Sequence, residues 1–317
     1  MLFYIARRLL YSIPIAIGVT LIVFSLVHIA PGDPVSAILP NEATAEMVEQ
    51  ARKDYGLDKP FVVQYAIWLG HAAIGDLGTS IGSGRPVFDE VAGAVGNTVI
   101  LAISAGLVAC IMGFVLGMVA GLWRDRLADH LVSLFTISGV SLPHYWLAIL
   151  LVIIFSVNLS WLPPLGIGPD TSDGWRPDWA HLQHLILPTI ATAAIPMAVI
   201  ARTMRAAVVD VLDQDFVTTL RAKGLLPRRV LWHVVRNALP TTLAVMGLQL
   251  GNMLGGSVLV ETVFAWPGTG FLLASAIFQR DLPLLQGTML VLAMFFVILN
   301  LAVDLLQSWT DPRIRRA

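Results

Sequence analysis

One polar segment and four isolated polar side chains are the places where this sequence could act on something outside itself. The segment is Asp213-Gln-Asp-Phe-Val-Thr-Thr-Leu-Arg-Ala-Lys-Gly224, followed by Leu-Leu-Pro227-Arg-Arg and then by Arg236-Asn-Ala-Leu-Pro240. Asp213 or Asp215 suits a helix start, where a carboxylate accepts from free backbone N–H groups. Phe216 and Leu220 are four apart and so share one face. Arg221 and Lys223, with Ala222 between them, fall in the last turn, where cations suit the negative end of the helix dipole. Gly224 supplies a stop and Pro227 follows it. The chemistry of such a short capped helix is docking into another protein. The isolated side chains are Gln249, Asn252, Ser257 and Glu261, set in or at the end of an apolar stretch. Polar groups are expensive inside a membrane, so these four mark a candidate solute path, with hydrogen bonds between helices as the alternative use.

No residue is assigned a bond-making role. There is no G-x-x-x-x-G-K-[ST] with which to hydrolyse a nucleotide, no H-E-x-x-H and no Cys/His cluster at metal-ligand spacing. The single cysteine, Cys110, excludes an internal disulfide and reads as a small buried hydrophobe.

The elements that must position these residues are membrane helices. Apolar residues make up 56% of the chain and charged residues 13%, against about 25% charged in ordinary globular domains. The apolar runs approach the roughly 20 residues needed to cross a bilayer. Six spans are predicted, at about 9–30, 97–121, 130–157, 184–204, 237–260 and 286–307. Each must be helical, because lipid offers the backbone no hydrogen-bond partner. The fold class is therefore all-α and polytopic. The first run is too long for a secretory signal core and is read as a retained span.

Lys and Arg set the orientation. Arg7 and Arg8, Arg124 and Arg126, seven residues between Arg202 and Arg236, and Arg313, Arg315 and Arg316 account for 14 of the 20 basic residues. With six spans these segments all lie on the same side of the membrane, so both termini are expected to be cytoplasmic. The expected layout is a first span at 1–30, a long extracytoplasmic loop region at 31–96 and a main transmembrane domain at 97–317 carrying a cytoplasmic loop at 205–236. The long loop is acidic, and it is predicted to hold helices at Thr44 to Asp54 and Phe61 to Ala73 with turns at Gly75–Gly78 and Gly82–Gly84. It is expected to cap the outer face and to help receive a soluble partner or substrate.

Two glycine rows, Gly113/Gly117/Gly121 and Gly247/Gly251/Gly255, allow close helix approach. Pro143, Pro188, Pro196 and Pro240 are expected to kink or edge spans. Asn300 and Asp304 lie four apart near the inner end of the last span.

Taken in order along nearly the whole length, several short motifs resemble the permease subunits of bacterial dipeptide/oligopeptide ABC importers, the first of the two permeases in such systems. They are Arg7-Arg8, Pro31-Gly-Asp-Pro34, Tyr55-Gly-Leu-Asp-Lys-Pro60, Gly75-Asp-Leu-Gly78, Arg221-Ala-Lys-Gly224, Arg236-Asn-Ala-Leu-Pro240, Glu261-Thr-Val-Phe-Ala-Trp-Pro-Gly268, Arg280-Asp281 with Gln286-Gly287, and Asp311-Pro-Arg-Ile-Arg315. The resemblance implies that the loop before the fifth span carries the coupling motif whose helix docks onto an ATPase, with Gly224 at its glycine. Thr218-Thr219-Leu220 stands where the general importer motif has Glu-Ala-Ala. It further implies a bacterial inner-membrane complex of two different permeases, two ABC ATPases and a periplasmic binding protein, embedded in lipid and without nucleic acid. This chain would hold no cofactor, ATP and Mg being bound by the ATPases, and it would not be an enzyme. Substrates carried by such relatives are dipeptides, oligopeptides, glutathione, nickel chelates or oligosaccharides, with peptide the default. A self-sufficient secondary transporter is the alternative, weakened because no inverted repeat is evident.

Overall fold

The computed structural model describes residues 2–29, 44, 46, 49, 58–169, 172 and 174–310. Among the described residues the regular structure is helical, with one isolated antiparallel bridge between Thr79 and Pro86. In chain order the helices are α1 (Leu2–Ile29), α2 (Phe61–Ala73), α3 (Val87–Leu122), α4 (Leu127–Ser141), α5 (His144–Leu151), which continues as a π-helical stretch (Val152–Asn158), α6 (Trp179–Leu212), α7 (Asp215–Ala222), α8 (Pro227–Val263), α9 (Thr269–Gln279) and α10 (Leu282–Thr310). Among the described residues α3 and α6 are each long and apolar enough to cross a membrane, and α4 with the α5 stretch qualifies as one broken span.

The predicted helix at Phe61 to Ala73 is present with those bounds. The predicted helix at Thr44 to Asp54 lies largely outside the described residues, as do Pro31–Pro34 and the Asp311–Arg315 motif. The expected span at 130–157 is not one helix. It breaks after Ser141, and its two limbs are bent by 108°. Pro143 has no N–H to donate, and its ring disfavours helical backbone in Leu142, which is extended at φ −90° and ψ 127°. Pro188, Pro196 and Pro240, by contrast, sit inside continuous helices. The helix α9 was not foreseen, because its 11 residues fall short of a span. The helices α3, α6 and α8, at 36, 34 and 37 residues, are about 50 to 55 Å long at 1.5 Å per residue. That exceeds a hydrocarbon core of about 30 Å. Hydropathy therefore found their middles and missed the turns that continue beyond the lipid.

The chain divides into two compact units, Met1–Asn97 with Pro267–Leu299 and Thr98–Trp266 with Asn300–Ala317. In the first, Phe24 packs among Phe61, Tyr65 and Trp68 at ring separations of 5.3 to 5.6 Å, and the Thr20 and Tyr65 hydroxyls are hydrogen-bonded at 2.7 Å. Asp281 is buried, and its carboxylate accepts from the Ser80 hydroxyl at 2.6 Å, from the Gly82 N–H at 2.9 Å and from the Leu284 N–H at 3.0 Å. One side chain thus caps α10 and pins the loop that holds the Thr79–Pro86 bridge. The predicted turns lie in this loop, with positive φ at Gly75, Gly78 and Gly84.

In the second unit α6 is the shared surface. Its buried face is rich in alanine, including Ala191, Ala193, Ala194, Ala198 and Ala201. The row Gly113, Gly117 and Gly121 on α3 lies directly against α6: a Cβ at Gly117 would collide with the Ala201 carbonyl oxygen, and one at Gly121 would stand 2.7 Å from Val208. The glycine row therefore serves packing inside this chain. Asp178 caps α6, accepting from the His181 N–H at 2.9 Å and lying 2.7 Å from His181 Nδ1. Those bonds hold its carboxyl below the usual carboxylate range.

Replacing Gly117 by valine is expected to destabilise the detergent-purified protein by about 1–3 kcal/mol, the ordinary penalty of overpacking. Gly93→Ala, where nothing lies within 4 Å of the added carbon, is the control and should not lower the thermal midpoint, since alanine favours a helix interior by about 0.5–1 kcal/mol.

Candidate coupling helix and solute path

The polar segment forms α7, held between the end of α6 and the start of α8. Its cap differs from expectation. Gln214 is the N-cap, with no side-chain cap bond, and Asp215 is already the first helical residue. Asp213 cannot cap because its backbone still closes α6, at φ −82° and ψ −1°. Its carboxylate accepts instead from Arg124 at 3.0 Å.

The apolar side is deeper than the Phe216–Leu220 pair implied. Val217 is fully buried in a cluster with Met204, Val208 and Val211 of α6 and Val230, Val234 and Ala238 of α8, and Phe216, Leu220 and Leu225 pack against it half-buried. Full burial of one such valine is worth about 1.5–3 kcal/mol, enough to keep a helix of two turns docked. Val217 was legible in the sequence, since it stands three residues before Leu220 and completes the stripe.

The end of α7 is fixed by two backbone bonds: the Leu225 N–H donates to the Leu220 carbonyl at 3.2 Å and the Gly224 N–H to the Arg221 carbonyl at 2.9 Å. This pattern needs a left-handed residue after the cap, and Gly224 provides it at φ +72°. Asp215, Thr218, Thr219, Arg221, Ala222, Lys223 and Gly224 are all exposed. One face of α7 is thus anchored in its own chain, and the other presents two cations and two hydroxyls to whatever lies beyond.

The four candidate path residues are not brought to one surface. Successive helical residues turn by about 100°, so Ser257 and Glu261 share a stripe that is rotated away from Gln249. Ser257 and Glu261 are 3% and 0% exposed. Glu261 accepts a hydrogen bond from the Thr98 hydroxyl of α3 at 3.1 Å. It offers no surface to a solute and serves to join two helices. Gln249 is half-buried, and the side chain of Asn252 lies outside the described residues.

The family described as binding-protein-dependent transport system inner membrane component matches residues 113–316. The chain belongs to that family. The companion N-terminal family of such membrane components matches residues 1–102. The permease is 40% identical over 332 residues to the dipeptide transport system permease protein DppB of Alkalihalophilus pseudofirmus, covering 99% of this chain and 100% of that one. It is 42% identical over 316 residues to the glutathione transport system permease protein GsiC of Escherichia coli (strain K12), covering 99% of each. Its fold is similar to an inward-facing MetNI methionine ABC transporter structure, with a TM-score of 0.55 and 16% identity over 70% of this chain and 96% of that one. The permease is therefore an inner-membrane transport component, helical in its regular structure among the described residues.

Nothing lies within 4 Å of a carbon added at Gly224, so substitution there tests backbone conformation alone. Gly224→Val is expected to destabilise the permease by about 1–2 kcal/mol, the penalty of left-handed backbone for an ordinary residue, and Gly224→Asn by less. Equal thermal midpoints for both variants and the parent would contradict the assigned helix ending.

Proposed function

We propose that this permease is one of two different membrane subunits of an ATP-driven importer that takes short peptides from a periplasmic binding protein and passes them to the cytoplasm by alternating access. The observation that carries this reading is α7: an exposed polar face with Arg221 and Lys223, on a helix whose other face is locked into α6 and α8. A helix so anchored turns any push on its outer face into movement of the long helices behind it. Asp215, Phe216, Leu220, Arg221, Ala222, Lys223 and Gly224 form the coupling element, the apolar members by anchoring it and the exposed members by meeting an ATPase. Leu220, where the family motif has alanine, puts its extra volume against the valine cluster.

In this reading six spans carry the chain through the bacterial inner membrane with both termini in the cytoplasm. The 31–96 region faces the periplasm and receives the binding protein, and 97–317 is the transport domain, with its coupling loop at 205–236. Two ABC ATPases bind ATP and Mg. ATP drives the cycle by binding one arrangement of the complex more tightly than the other. The broken span at Pro143 is the place where the bundle yields. Gln249 and Asn252 line the path toward the second permease, while Ser257 and Glu261 hold α8 in place. The relatives named for dipeptide and for glutathione transport both carry short peptides, which supports that substrate class.

Two results test this. Gentle affinity purification from the native membrane should recover a second permease and ATPases with Walker motifs. Reversing both charges by Arg221→Glu with Lys223→Glu should cut dipeptide or glutathione uptake at least about tenfold, since like charges set against each other at an interface cost several kcal/mol, with the amount of protein in the membrane unchanged. Uptake at the parent rate in that double variant would sink the proposal.

A further inference from the structure

Apart from α7 and the residues of the solute path, the described residues of the second unit carry one two-armed ion pair, its carboxylate buried and its guanidinium half-buried. Asp129, in the first turn of α4, is 3% exposed. Arg205 of α6 grips it with both arms of the guanidinium, Nε to Oδ1 at 2.5 Å and Nη2 to Oδ2 at 2.7 Å. The same carboxylate accepts from the Asp125 N–H at 3.0 Å and from the Ser133 hydroxyl at 3.3 Å. Asp125 is at φ +62°, a conformation that Asp tolerates through its short polar side chain.

The start of α4 does not need Arg205. A carboxylate in the first turn of a helix is already favoured by the helix dipole, and this one also has a backbone N–H and a hydroxyl. The two-armed bond goes beyond that, and what it adds is a fixed geometry between two helices, because a guanidinium fork on a carboxylate sets direction as well as distance. The neighbouring pair Arg124–Asp213 is also 3.0 Å long, but its side chains are 49% and 66% exposed. Exposed pairs of that kind contribute little and swing freely. Farther along, Gly139 of α4 lies against Ala198 of α6. Asp129–Arg205 is thus the directional fastening between α6 and α4, the first limb of the broken span, placed about two turns before α6 ends at α7.

We propose that Asp129 and Arg205 are positioning residues for coupling: they carry displacement of α7, passed into α6, on to α4 and so to the bend at Pro143. This rests on the reading of the chain as an importer permease. Without the pair, α4 would still pack on α6 but would slip along it, and the stroke of α7 would be lost before the bend.

The test uses the whole importer, both permeases with their ATPases, reconstituted in liposomes. Its readouts are the amount of ATPase bound and the ratio of ATP turnover with and without binding protein loaded with a dipeptide or glutathione. The double variant Asp129→Leu with Arg205→Met removes both charges and fills the space, so no buried carboxylate is left unpaired. It is expected to hold its ATPases as the parent does while the stimulation ratio falls by about 5- to 150-fold, the span of ordinary coupling energies. Arg205→Lys, which keeps the charge as a single point, should fall less and decides the matter if the double variant does not assemble. A parental stimulation ratio in the assembled variants overturns this proposal and leaves the importer reading standing. Failure of the parent chain to bind any ATPase overturns both.

Discussion

The packing of α3 onto α6 is the constraint from which the larger unit follows. Gly113, Gly117 and Gly121 leave no room for a side chain, and α6 answers with alanines and with the backbone of Met197 and Ala201. Lipid gives helices no hydrophobic reason to associate, so backbone approach and shape must do it. With α3 seated on one side of α6, the other sides are free for α4, α5 and α8. The end of α6 then leads directly into α7, whose position is set by the same valine-lined cluster that joins α6 to α8. A helix of eight residues would not persist in water alone. It does so in this fold because its buried stripe belongs to a core already built by two helices of more than 30 residues each.

Much of this was legible because membrane burial writes plainly in sequence. The apolar runs located the middles of the long helices, Gly224 marked the end of α7, and the glycine row marked a close approach. What was not legible has physical causes. The break at Pro143 and the continuity through Pro188, Pro196 and Pro240 cannot be separated from composition, because neighbours decide whether a freed carbonyl is satisfied elsewhere. The cap at Gln214 was missed because Asp213 remains part of α6. Glu261 read as a polar group in a path, whereas its partner, Thr98, lies 163 positions away in the chain. A contact at that separation leaves no periodic trace. Val217 was the opposite case, a stripe present in the sequence and only partly read.

In the proposed importer, chemistry and motion are divided between subunits. This chain contributes shape, a coupling surface and the fastenings that make several helices move together. The energy enters elsewhere, as the difference in ATP affinity between two arrangements. That division fits a short anchored helix with an exposed polar face, and it fits the engagement of Glu261, a buried polar group of α8, with α3.

The most direct test of α7 as the coupling helix is site-directed cross-linking. With Cys110 replaced by alanine, a cysteine introduced by Thr218→Cys on the exposed face should cross-link to an ATPase subunit in membranes that take up peptide in response to ATP. A cysteine introduced by Phe88→Cys, in the first turn of α3 and on the side assigned to the periplasm, should not. Cross-links from position 88 and none from position 218 would contradict the assignment.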